Sequence, residues 1–162
     1  MERAVELAGF FAAHGIWCVA EGETLVPILA FERADGEQEF RRIEATELQA
    51  AVAQGKEWLA ANPDHVSRAV LVYDALISLP GGKTDCLMLE VRSYGPPMDS
   101  LSIALPYRRA EKRGGFAVHR PKFVSNEEQE ATVSNLGEVF FRGVARHEKG
   151  SSVWNAHLDE SR

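Results

Sequence analysis

Two apolar runs, "AVLVYDALISL" and "CLMLEVRSY", flank a Gly81-Gly82-Lys83 corner, and this pairing constrains the fold more than any other part of the chain. Runs rich in valine, leucine, isoleucine and tyrosine on either side of a glycine corner form an antiparallel hairpin, because glycine supplies the positive φ that a tight turn needs. Each run also carries a carboxylate, Asp74 and Glu90, where a sheet normally buries hydrocarbon.

The corner's length decides which side chains share a face, since a slip of one residue sends every side chain to the other side of the sheet. A two-residue Gly81-Gly82 turn sets Asp74 opposite Leu89 and Glu90 opposite Tyr73, which mixes acid with hydrocarbon. A three-residue Gly81-Gly82-Lys83 loop sets Asp74 opposite Glu90 and Val72 opposite Arg92. Leu71, Tyr73, Ala75, Ile77 and Leu79 then join Leu87, Leu89 and Val91 on a core face. The longer loop is therefore expected. Like charges across a sheet pair cost some tenths of a kcal/mol unless a cation intervenes, and Arg92 is that cation.

Asp74 followed by Glu90-Val91-Arg92 resembles in outline the strand carboxylate and Glu-x-Lys arrangement of restriction-endonuclease-like nucleases, between residues 74 and 92 and with arginine in place of lysine. The resemblance implies a metal-dependent phosphodiesterase in which Asp74 and Glu90 hold the ion and Arg92 contacts the phosphate. Arginine keeps its proton at neutral pH, so a step needing a neutral amine is lost. The other reading of the same residues is a surface ion-pair cluster.

Around this hairpin the pattern alternates between helix and strand. Val5, Ala8, Phe11 and Ala12 lie on one helical stripe in residues 2 to 14, with Gly15 as the stop. Three strand-like runs follow, "IWCVA", "TLVPILAFER" and "QEFRRIEA", with Pro27 marking an edge or a bulge. Thr46 and Gln49 give a capping signature for a second helix, which carries Gly55 and ends at Pro63. After Gly95-Pro96-Pro97, "SLSIALPYR" and "GFAVHRPKFV" supply two further strands. Ser125 and Glu128 open a last helix, weakened by Gly137 and Gly143, that runs toward His147. The expected fold is α+β: a mainly antiparallel sheet of six to seven strands in two meanders with about three helices. Residues 1–147 form a single domain and 148–162 a loose tail.

A chain of 162 residues buries roughly 70% of its unfolded surface, enough for one core. Its formal net charge of -6 repels polyanions, which disfavours nucleic acid and anionic membranes as partners. No apolar run is long enough to span a membrane, and the acidic start is wrong for a secretory signal. Cys18 and Cys86 sit in apolar runs without CxxC spacing, which points to a reducing, cytoplasmic setting.

Arg108, Arg109, Lys112 and Arg113 in "YRRAEKR" are the candidate contacts for an anion or a partner, against the alternative of a solvated hairpin tip. His14, His65, His119, His147 and His157 show no zinc spacing, and helix ends account for His14 and His147 as cations. Trp17, Trp58 and Trp154 are expected to supply core area. No GxSxG, GxGxxG or GxxxxGK[ST] pattern occurs, and no cofactor is implied. The favoured expectation is a cytoplasmic, non-catalytic binding module that takes a protein partner or a second copy of itself. The metal-dependent nuclease-like enzyme built on Asp74, Glu90 and Arg92 is the alternative.

Overall fold

The computed structural model describes residues 1–124 and 130–162. It is an α+β protein: α1 (Glu2–Val19), β1 (Ile28–Glu32), β2 (Gln38–Arg42), α2 (Leu48–Ala61), β3 (Arg68–Leu79), β4 (Gly82–Ser93), β5 (Asp99–Arg108), β6 (Ala117–Val118), β7 (Lys122–Val124), α3 (Glu130–Arg146) and α4 (Glu148–Ala156). The seven strands form one antiparallel sheet in the order β2-β1-β3-β4-β5-β6, with β7 also on β5. Among the described residues no helix is long and apolar enough to cross a membrane.

The long hairpin closes on Leu79 opposite Gly82, so its turn is Pro80-Gly81 and the three-residue loop is not formed. Proline's fixed φ suits the first corner position, and Gly81 at φ 134° takes the second. Asp74 therefore stands opposite Leu87, and Glu90 opposite Leu71. Both faces of the sheet are apolar. Val70, Val72, Leu87, Leu89 and Val91 join a core under α1, whereas Leu71 and Tyr73 join a second core with Leu29, Phe31 and Leu59 under α2. The expected core face thus mixed residues from both sides.

The first helix does not stop at Gly15 but absorbs the "IWCVA" run, expected as a strand, as far as Val19. Gly15 is needed for proximity: a Cβ there would sit 2.8 Å from Leu87 Cδ1. α3 and α1 meet backbone to backbone in the same way. A Cβ on Gly143 would lie 2.0 Å from the Glu6 carbonyl oxygen, and one on Gly9 2.0 Å from that of Phe140. Glycines that weaken a helix by propensity here permit it to dock.

Other expectations shift by an element. Pro27 precedes β1, an interior strand, and its carbonyl accepts from Ile43 N–H. α2 begins at Leu48 without a side-chain cap, and Asn62 in the left-handed region ends it. The Ser125–Glu128 cap lies outside the described residues. The C-terminal stretch is not a loose tail: it forms a fourth helix, α4, with Trp154 1% exposed, and Val118 then bridges Leu158 in parallel. Trp154 lies in the α1 core and Trp58 stacks on Phe31, whereas Trp17 is exposed.

His14 is not at a helix end, and His147 stands between α3 and α4 as an acceptor. His14 lies inside α1, and its ring meets that of His147, which caps α4 by accepting from Gly150 N–H.

Candidate functional site

α1 covers the sheet over Val72 and Leu87, and beyond that point the same face turns polar. Asp74 on β3, Asp85 on β4 and Tyr107 on β5 lie there, on three adjacent strands. The Asp74 side chain is only 4% exposed. The Tyr107 hydroxyl donates to it, 2.8 and 2.9 Å from its two oxygens, and Arg109 Nη2 donates at 2.9 Å. Burial, with Asp74 adding its negative charge, pushes the Tyr107 hydroxyl well above the ordinary tyrosine range, so it stays a donor.

Arg109 Nε also reaches Asp85 Oδ1 at 3.2 Å, and Lys112 Nζ lies 3.0 Å from Asp85 Oδ2. One guanidinium thus ties two buried carboxylates from neighbouring strands, the planar fork geometry that arginine provides and lysine does not.

The loop after β5 is shaped by Gly114 and Gly115, both at positive φ. Their carbonyls accept from Arg108, Gly115 at 2.7 Å and Gly114 at 3.2 Å. The C-terminal segment closes the remaining side: Val118 N–H donates to His157 and Asp159 N–H to Val118. His119, 1% exposed, has Nδ1 2.9 Å from the Asp159 carbonyl oxygen. A carbonyl only accepts, so His119 Nδ1 carries a proton and donates to it.

These elements enclose a hollow of about 390 Å³ lined by Lys83, Arg108, Lys112, Arg113, Arg162 and His119, with Thr84, Asp85 and Tyr107 at its base. Lys83, Arg113 and Arg162 have no ion-pair partner among the described residues, and the carboxylate of the hollow is already held by Arg109 and Lys112. A chain whose net charge is -6 therefore concentrates cations in one concavity.

Of the four cations singled out in the sequence, Arg108, Lys112 and Arg113 face this hollow, while Arg109 turns inward to the aspartates. His119, on the strand after the run that holds them, was placed beside the cluster by the sequence, whereas Lys83 and Arg162, far apart in the chain, were missed. The basic run "YRRAEKR" was the legible part of the signal, and only the sheet brings the rest to it.

The trio Asp74, Glu90 and Arg92 is not brought together. Glu90 is on the α2 face, opposite Leu71, with Oε1 accepting from the Tyr73 hydroxyl at 3.2 Å and Oε2 from Ser102 at 2.7 Å. Arg92 lies 3.9 Å from Glu90, whereas Asp74 projects from the other face of the sheet. The two carboxylates cannot share one ion across a packed sheet, because the two-residue turn shifts the register by an odd number of positions. Among the described residues no three histidine, cysteine, aspartate or glutamate side chains gather so as to hold a metal ion. Nor is Cys86 a ready nucleophile, since burial and then Asp74 and Asp85 push its thiol up to about 12.

No protein-family model, no curated protein and no solved structure matches this chain.

Proposed function

We propose that the protein is a non-catalytic binding module whose basic hollow takes an anionic group, a phosphate or a carboxylate, from a small molecule or an acidic partner. The observation that carries this reading is the convergence of Lys83, Arg113 and Arg162, without ion-pair partners among the described residues, on a concavity whose own aspartate is neutralised. Cations from separate elements raise the local potential, and partial enclosure strengthens their hold on an anion. Asp74 and Arg109 do not line the hollow, and through the Tyr107 hydroxyl at its base they support the wall from behind. The free thiols Cys18 and Cys86 support a cytoplasmic setting.

Calorimetric titration with inorganic pyrophosphate and with a short glutamate-rich peptide tests the reading and separates its two sources. At least one probe is expected to bind, more weakly as salt rises, and the Lys83→Ala/Arg113→Ala pair should weaken it by about tenfold or more. Binding of neither probe, or equal binding to the double variant, refutes it. Melting with and without Mg²⁺ addresses the enzyme alternative: a rise in midpoint that vanishes in Glu90→Gln would restore a metal site, and no rise is expected.

A further inference from the structure

β2 is an edge strand whose five residues are all exposed, and its sequence Gln38-Glu39-Phe40-Arg41-Arg42 reads with opposite charges on either side of a central aromatic residue. We infer that this edge pairs with the same edge of a second copy of the chain, antiparallel and centred on Phe40.

The backbone fixes the register. Arg33 N–H donates to Glu37 at 2.9 Å and Ile43 N–H to Pro27 at 2.8 Å, so the pairs 33/37 and 27/43 are hydrogen-bonded pairs of the β1–β2 ladder. Such pairs alternate with non-bonded ones, which makes 31/39 and 29/41 bonded and turns the N–H and C=O groups of Gln38, Phe40 and Arg42 outward. Outward groups at alternate positions are what a second strand needs. A two-fold axis at Phe40 lets its N–H and C=O meet those of the partner's Phe40, and sets Gln38 against the partner's Arg42.

The same axis places Glu39 opposite the partner's Arg41, and Arg41 opposite the partner's Glu39. These are non-bonded pairs, where cross-strand side chains approach most closely. The strand is thus complementary to itself in charge, the property an isologous interface requires. Other registers lose it: a shift by two residues sets Arg41 against the partner's Arg41 or Glu39 against the partner's Glu39. In the single chain Glu39 is held by Arg33 at 2.9 Å and Arg41 by Asp64 at 3.1 Å. Both pairs are solvent-exposed, so exchanging partners across the interface costs little. Phe40 is 49% exposed beside Phe11 and His14, and Trp17 is 40% exposed on the same side, so pairing also covers aromatic surface.

Analytical ultracentrifugation of the full chain, combined with charge reversal, provides the test. The wild type is expected to sediment as a dimer, Glu39→Arg as a monomer, and Glu39→Arg/Arg41→Glu as a dimer again, because the double exchange restores the complementarity. Amide exchange adds a readout that a folding defect does not mimic: raising the concentration should slow the amides of Gln38, Phe40 and Arg42 by at least about tenfold and leave Glu39 and Arg41 unchanged. A monomeric wild type, a Glu39→Arg dimer, a double variant that stays monomeric, or uniform protection along β2 overturns the inference.

Discussion

His147 Nε2 lies 3.0 Å from His14 Nδ1, and the direction of that hydrogen bond is set by its neighbours. His147 Nδ1 accepts from Gly150 N–H at 2.9 Å, so neutral His147 carries its proton on Nε2 and donates to His14. His14 then carries its own proton on Nε2, which is buried and has no partner among the described residues. With both rings neutral the links from Gly150 to His147 and from His147 to His14 are made, and an added proton must break either the ring-to-ring bond or the α4 cap.

Stability should fall as pH drops below about 6.5. Burial, then His147 and Arg42, holds His14 below its ordinary 6.5, and burial with Lys149 nearby lowers His147 as well. The unfolded chain takes up protons near 6.5 that the folded chain refuses. This contribution is therefore fully present above 6.5 and is lost as pH falls toward the lowered folded values. Urea midpoints at about pH 7.5 and 5.5 should differ in that direction, and His14→Phe should shrink the difference; an undiminished pH drop in that variant rejects the assignment.

Adding one methyl group should have opposite effects at two glycines of α3. Gly143→Ala drives its Cβ against the Glu6 carbonyl and is expected to cost about 2 to 3 kcal/mol. At Gly137 nothing lies within 4 Å of an added Cβ, so Gly137→Ala should stabilise by about 0.5 to 1 kcal/mol through helix propensity. Chemical denaturation of the two variants measures both, and a tolerated Gly143→Ala contradicts the close approach of α1 and α3.

Removing one member of the buried polar set should be worse than removing two. Arg109→Met leaves the buried Asp74 without its cation, an expected loss of about 3 kcal/mol, against about 1 to 2 kcal/mol for Tyr107→Phe. Asp74→Leu combined with Arg109→Met should recover most of the loss. A double variant as unstable as the sum of its parts would show that the two side chains are not coupled.

The strands, their antiparallel order along β3, β4 and β5, and the central helices were legible because apolar periodicity and turn residues mark them locally. Register was not. With α1 on one face and α2 on the other, β3 is buried at Ala69, Val70, Leu71, Val72, Tyr73 and Asp74 in succession. Alternation then carries no information about which residues share a side. The expected corner also began at Gly81, whereas the turn that forms is Pro80-Gly81. Residues 16 to 19 have strand-like composition, yet the fit of Gly15 against Leu87 continues the helix through them. Trp154 packs against Phe140 and Phe141 of α3, and Gly150 of the same helix lies against Ala13 of α1, contacts that no local pattern in "GSSVWNA" could announce.

Successive residues of β3 anchor two separate hydrophobic compartments, one beneath α1 and the other beneath α2. Neither compartment can melt without releasing the strand the other is built on, so the molecule should unfold in a single step. Trp58 and Trp154, on opposite sides of the sheet, are natural fluorescent reporters of that cooperativity and should share one transition midpoint.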